Sequence, residues 1–212
     1  MSLQDVFIEE LRDLYSAENQ LVKSLPKMAR AASGSELKDG IKNHLEETKG
    51  QVDRLKQIFQ ILGKKPTGQH CNGMEGVVAE GKEAIESDEE GATKDVQLIG
   101  ASLRVEHYEI AGYTAAIAIA KTLGQKEIVG LLTETLKEEQ ATGKLLLSQA
   151  KPLLKEAGSE DDADEEEDSD EPEDGEEAES KRKSEEDEAE AQKSEGEEPK
   201  VAPAKKTAKS KK

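Results

Sequence analysis

Leu11, Leu14, Glu18, Leu21 and Leu25 are spaced alternately three and four residues apart, so they share one helical face, and the centre of that apolar face is a carboxylate. An ionised carboxylate buried without a partner costs several kcal/mol even after its surroundings relax. A chain that turns acid inward therefore needs a proton, a cationic side chain or a metal ion to meet it. Three later helical segments carry an inward acid as well.

The punctuation of the chain arranges these segments. Ser2 is expected to cap a first helix running to about Ala32, with Pro26 as a kink within it and Gly34 as its stop. Ser35 is expected to cap a second, whose seam is Ile41, Leu45, Thr48, Val52, Leu55, Phe59 and Leu62, and Gly63 with Pro66 ends it. A joint this short makes an antiparallel hairpin. A second hairpin follows from about Thr93 to Leu123 and from Gln125 to Glu156, turning at Gly124.

Between the hairpins lie residues 63–92, with a shorter amphipathic helix expected from Met74 to Glu86. A helix of 27 residues is about 40 Å long, and this connector can travel that distance. Hairpin, long crossover, hairpin is the ferritin-like arrangement of a four-helix bundle. No segment of useful length has a strand period, so the fold class is all-α.

Counting from each hairpin tip gives the depth of each acid. Glu18 is sixteen residues before Gly34, while His44 and Glu47 are ten and thirteen after it. Glu106 and Glu109 are eighteen and fifteen residues before Gly124, and Glu138 and Glu139 are fourteen and fifteen after it. All four helices thus place an acid near mid-height. Glu106 and Glu109 fall on one stripe with Ile99, Ser102, Tyr113, Ala116 and Ala120. Glu138 shares a stripe with Leu131 and Leu145, and Glu139 with Leu132, Leu136, Thr142 and Leu146, so spacing leaves the choice between them open. His44 and Glu47 flank the seam of their helix, and an i, i+3 pair can ligate one ion.

Five or six converging carboxylates repel strongly in a low-dielectric interior unless cations or protons neutralise them. Two divalent ions bring the charge close to balance, and carboxylates with imidazole suit iron or manganese better than a thiophilic metal. The candidate ligands of a dinuclear centre are Glu18, His44, Glu47, Glu106, Glu109, Glu138 and Glu139.

Composition changes sharply near Gly158. Residues 160–198 hold 23 acidic and 4 basic side chains and no Leu, Ile, Val, Phe or Met, so they cannot offset their chain entropy, and six lysines follow from Lys200 on. The expected division is a bundle over residues 1–157 and a disordered tail over 158–212. The lysine-rich end could contact nucleic acid phosphates only weakly, with the acidic run competing for it. No charge-free run reaches the length of a membrane span and the N-terminus lacks secretory-signal order, so a cytoplasmic protein without membrane contact is expected. Cys71 is the single cysteine, expected as a thiol in the loop; with His70 it supplies too few ligands for zinc.

The stretches Glu-Leu-Arg-Asp-Leu-Tyr-Ser-Ala-Glu (10–18), His-Leu-Glu-Glu-Thr (44–48), Val-Glu-His-Tyr-Glu-Ile-Ala-Gly-Tyr (105–113) and Leu-Lys-Glu-Glu (136–139) together resemble the YciF-like branch of the ferritin-like superfamily. The resemblance covers residues 1 to about 157. It implies a four-helix bundle with a dinuclear centre, a homodimer, and a bacterial stress role. One departure stands out: the superfamily's Glu-x-x-His is absent, because Glu47, Glu138 and Glu139 are followed three residues later by Gly50, Ala141 and Thr142. His44, three before Glu47, can substitute for one imidazole. His107 is turned away from Glu106 by about 100°. Tyr15 and Tyr113 are placed either to hydrogen-bond ligating carboxylates or to pack in the core. Two functions fit: a metal centre reacting with oxygen or peroxide, or a non-catalytic bundle stapled by metal whose charged tail recruits partners.

Overall fold

The computed structural model describes residues 1–67 and 69–167. Helix α1 (Leu3–Ala31) opens with a capping box: Ser2 Oγ accepts from the Asp5 amide at 3.1 Å, and Asp5 Oδ2 accepts from the Ser2 amide at 2.8 Å. Pro26 lies within α1. α2 (Ser35–Ile61), α3 (Asn72–Glu86), α4 (Gly91–Thr122) and α5 (Lys126–Glu167) complete the fold, and no strand occurs among the described residues.

Both hairpin helices ending in glycine close alike. Gly63 and Gly124 take φ of 62° and 70°, a left-handed conformation that only glycine adopts without strain. The Lys64 amide then bonds the Phe59 carbonyl, and the Gln125 amide the Ala120 carbonyl, each at 2.9 Å, which satisfies the last carbonyls.

The first joint is built differently from the sequence expectation. Ser35 does not cap α2; it is already inside the helix, and Gly34 at the cap position has no side chain to offer. Buried Asp95 of α4 does the work from across the bundle, accepting from the Ser33 and Gly34 amides at 2.7 Å each. A Cβ on Gly34 would stand 2.9 Å from Asp95 Oδ2, so a side chain there would have to push aside the carboxylate that caps the joint.

α1 packs on α2 and α4 on α5, and the two hairpins meet through α1 with α4 and α2 with α5. α3 lies against α1 and α4 as part of the crossover. The core forms two apolar clusters. One, which includes Phe7, Leu11, Leu55, Phe59, Ala116 and Leu132, fills the end where α1 begins. The other, with Leu21, Leu25, Met28, Leu37, Ile41, Leu98 and Leu146, fills the end at the Gly34 joint.

Cys71 is not a loose loop thiol. It is buried at the N-cap of α3, its Sγ 2.9 Å from Asp13 Oδ2 and 3.0 Å from the Tyr108 hydroxyl, while its amide donates to Ser16 Oγ. Sequence spacing could not show that Asp13 and Tyr108 converge there. α5 also runs past Gly158 to Glu167, beyond the expected end near Glu156, since one glycine costs a helix only about 1 kcal/mol. The expected disorder and lysine-rich nucleic acid contact of the tail lie, from residue 168 on, outside the described residues. No described helix is long and apolar enough to cross a membrane.

Candidate metal centre

Between the two apolar clusters lies a polar layer to which every bundle helix contributes. α1 supplies Glu18, α2 His44, Thr48 and Gln51, α4 Glu106 and Glu109, and α5 Glu139, all buried. On α2 the sequence Ile41, His44, Thr48, Gln51, Leu55, Ile58 alternates three and four, so the inner stripe is polar in its middle and apolar at both ends. His44 therefore sits in the seam, not beside it, and Leu45 takes the half-buried flank.

Toward the Gly34 end, His44 Nε2 is 3.2 Å from Glu106 Oε1. His44, Glu106 and Glu139 each offer one ligand atom within 4.8 Å of the others. Toward the opposite end, the Tyr113 hydroxyl donates to Glu18 Oε1, and Gln51 Nε2 donates to Glu139 Oε1. What remains is an excess of acceptors. Glu18 Oε2, Glu106 Oε2, Glu139 Oε2, both oxygens of Glu109 and His44 Nε2 are buried and meet no hydrogen-bond donor among the described residues other than a proton shared between neighbouring carboxyls, Glu18 with Glu109 and Glu106 with Glu139. Unpaired buried polar atoms are rare in native structures, and a cluster of them marks a missing cation or proton.

Burial sets the proton affinity of the layer. It raises Glu109 and Glu18 well above the ordinary carboxylate range, with the neighbouring Glu18 and Glu139 charges adding respectively to each. Glu106 is pushed up to about 11 by burial and then by the charge of Glu139. Glu139 is raised by burial as well, partly offset by the His44 imidazole and the Gln51 amide. Burial and the Glu18 charge also raise the Tyr113 hydroxyl. Burial and mutual repulsion thus favour protons on these acids wherever no cation meets them.

Of the seven candidate ligands, the structure brings Glu18, His44, Glu106, Glu109 and Glu139 together. Glu47 stays at the margin with its side chain 46% exposed, 3.9 Å from His44 Nδ1, and the His44 imidazole holds its carboxyl below the usual range. Glu138 lies at the edge of the layer, 24% exposed: Arg54 donates to its two oxygens at 2.9 and 2.8 Å and to Thr135 Oγ1 at 2.6 Å, and Gln51 Nε2 donates to its Oε2 at 3.0 Å. Of the two acids that spacing left open, Glu139 is fully buried in the layer, whereas Glu138 is partly exposed and shared between Arg54 and Gln51. Sequence reasoning missed Gln51 and Arg54; the three-four alternation from His44 would have found Gln51, while nothing local signals Arg54.

The two tyrosines separate. Tyr113 reaches across to Glu18 of α1, whereas Tyr15 packs edge-on against Phe59 with ring centroids 6.3 Å apart. His107 is exposed, its Nδ1 2.8 Å from its own helix's Leu103 carbonyl, as its rotation from Glu106 requires.

Fold and layer together define a ferritin-like helical bundle with a carboxylate-rich interior. The chain belongs to the family described as a domain of unknown function, DUF892, which matches residues 2–158. It is 44% identical to protein YciF of Escherichia coli strain K12 over 142 residues, 66% of this chain and 86% of that protein. The crystal structure of that stress protein superposes with a TM-score of 0.71 at 42% identity, covering 73% of this chain and 98% of that one. YcfI of Rhodopseudomonas palustris matches with a TM-score of 0.66 at 41% identity, over 69% of this chain and 93% of the other. A ferritin-like, diiron-carboxylate protein from Bacillus anthracis strain Ames shares the fold, with a TM-score of 0.56 at 18% identity over 71% and 99% of the two chains.

Proposed function

We propose that the polar layer is a dinuclear metal centre, holding two iron or manganese ions through Glu18, His44, Glu106, Glu109 and Glu139, and that the protein uses it in a stress response. The observation that carries this reading is the set of buried carboxylate oxygens and imidazole nitrogen, short of hydrogen-bond donors, converging from four helices. The donor set fits: four buried carboxylates balance the four positive charges of two divalent ions, and oxygen with one imidazole nitrogen suits iron or manganese. Gln51 and Tyr113 orient Glu139 and Glu18 by hydrogen bonds, the role that outer partners play around metal ligands. Similarity to the stress protein YciF supports the cellular role.

When bound, such ions supply redox chemistry toward oxygen or peroxide. The chain's part is to hold the carboxylates, exclude bulk water with the two apolar clusters, and keep protons on the acids when cations leave. Protein reconstituted with ferrous iron should consume oxygen or peroxide faster than a Glu18→Ala, Glu109→Ala variant. Equal rates would remove the catalytic part of the reading.

The burial of Glu18, Glu109 and Glu139 favours a second reading, in which the ions staple the bundle without turnover. Chelation should then lower the melting temperature while the rates with and without metal stay equal. The cytoplasmic location, the homodimer and the tail's recruitment of partners, including weak nucleic acid contact, belong to the same proposal. Sedimentation of the full chain tests the dimer.

A further inference from the structure

The four carboxylates and the imidazole of the polar layer are all buried, so a cation from solvent needs a passage to reach them. Two gaps lead toward Glu106. One is a groove between α1, α3 and α4, walled by Leu21, Leu25, Val78, Ile85 and Val105. Its two hydroxyls, Ser24 and Ser102, already donate to the Leu21 and Leu98 carbonyls at 3.3 and 2.9 Å. A divalent ion shedding its water there finds little to replace it, which is costly.

The other gap lies in the seam between α2 and α5, and its lining is polar. A cavity of about 10 Å³, the room of about one water, touches His44, Ser102, Glu106 and Thr142. Thr142 Oγ1 stands 3.4 Å from His44 Nδ1 and 3.5 Å from Oε2 of the half-exposed Glu47. That Glu47 oxygen is 3.9 Å from His44 Nδ1, and the opposite ring nitrogen is 3.2 Å from Glu106 Oε1. His44 is itself 4% exposed and aims Nε2, which meets no donor, into the layer. Glu47, Thr142, His44 and Glu106 thus form an unbroken line of ligand atoms from solvent inward.

The mouth of this line is anionic and open. One turn to either side of Glu47 stand Asn43 and Gly50, and one turn to either side of Thr142 stand Glu138 and Leu145. A Cβ on Gly50 would meet nothing within 4 Å. The nearby bases are engaged or turned away: Glu46 holds Lys49 at 2.6 Å, Glu138 holds Arg54, and Lys144, two residues past Thr142, is on the opposite side of α5. Among the described residues the ion-pair neighbour of Glu47 is His44.

We propose that Glu47 is the entry ligand of the metal centre, which captures divalent cations from solvent and passes them along Thr142 and His44 to Glu106 without holding one in the filled site. This rests on the metal reading of the layer. A carboxylate in a recess walled by low-dielectric helices raises the local cation concentration and the capture rate, by about tenfold or more, and salt screens the effect. Because Glu47 lies on the path and not at its end, it lowers a barrier crossed in both directions and leaves the equilibrium alone.

The test is stopped-flow uptake of manganese(II) by the metal-free full chain, read by a fluorescent metal indicator in solution, followed by release of the bound ion into excess chelator. Glu47→Gln should slow uptake and release alike, each about tenfold, with two ions still bound per chain at unchanged affinity. Glu47→Asp should recover uptake to within about threefold of the wild type. Added salt should slow the wild type and leave Glu47→Gln nearly unchanged. Val78→Trp, which fills the apolar groove, should leave uptake within about twofold; should it fail to fold by circular dichroism, the two Glu47 variants decide alone. The proposal is overturned if Glu47→Gln takes up manganese as fast as the wild type, or if Val78→Trp slows uptake and Glu47→Gln does not. It is also overturned if Glu47→Gln binds fewer ions or releases them faster, since Glu47 is then a resident ligand. Failure of the metal reading looks different: wild-type protein takes up no manganese at all, which ends both.

Discussion

Replacing Glu109 with methionine should invert the effect of metal on stability. Glu109 is fully buried, no donor side chain meets its oxygens, and the group within its reach is the Glu18 carboxyl, with which it can share a proton. Methionine keeps an unbranched, flexible shape and removes both oxygens. With its proton shared with Glu18, Glu109 keeps one unpaired oxygen, and a buried unpaired polar atom costs about 1–3 kcal/mol, so at the low end the metal-free variant gains about 1 kcal/mol. For a bundle of this size 1 kcal/mol moves the melting temperature by about 2–4 °C, so the variant should melt about 2–4 °C above the wild type at pH 5.

The Glu109 proton adds a second signature. Burial, followed by the Glu18 and Glu139 charges, holds the folded pKa above that of the unfolded chain. The wild type's stability is then fully present below the ordinary carboxylate pKa of about 4.3 and is lost as pH rises toward the folded value. The gap between variant and wild type should widen with pH, by up to about 1.4 kcal/mol per unit for one retained proton. Excess manganese at pH 7 should reverse the order, because the wild type keeps a ligand the variant has lost. Circular-dichroism melts at pH 5 and pH 7, with chelator and with manganese, read all four states. A metal-free Glu109→Met protein that melts below the wild type at both pH values would refute the reasoning.

Arg54→Met should cost about 1–3 kcal/mol, since it strips Glu138 and Thr135 of their arginine donors, yet leave metal content unchanged because the proposed ligand is the fully buried Glu139 and Gln51 still donates to both acids; a melt and elemental analysis read the two parts. Asp95→Ala removes the acceptor from the Ser33 and Gly34 amides and should cost about 2 kcal/mol by denaturant titration, whereas Ser35→Ala should stay within about 0.5 kcal/mol. The Cys71 thiol, raised in pKa by burial and then by Asp13, should resist iodoacetamide at pH 8 at least about a hundredfold better than an unfolded thiol and react fully in denaturant.

The helices and their connection were legible because their signals are local. Ser2 with Asp5 makes a cap within four residues, and Gly63 and Gly124 mark turns by their own backbone freedom. The depth of the acids followed from helical rise alone, which put Glu18, Glu47, Glu106, Glu109 and both Glu138 and Glu139 near mid-height; rotation about the helix axis, which rise does not fix, leaves Glu47 at the margin. What spacing could not supply was the partner of each group across the bundle. Asp95 as cap of the Gly34 joint, Arg54 as counter-charge of Glu138, and the burial of Cys71 by Asp13 and Tyr108 all join residues distant in sequence. The rotation of α2 was misplaced for a related reason. Reading its seam by hydrophobicity selected Leu45, whereas the inner stripe runs through His44 and Gln51 because the layer it faces is polar.

The measurement that bears most directly on the metal centre is elemental analysis of the full chain purified without added metal, beside the Glu18→Ala, Glu109→Ala variant. Two equivalents of iron or manganese per chain, falling to at most one in a variant that remains folded, is the expected result. Wild-type protein that carries neither metal, and takes up neither when dialysed against both at neutral pH, would mean that the layer is held by its own protons and that the centre is not a metal site.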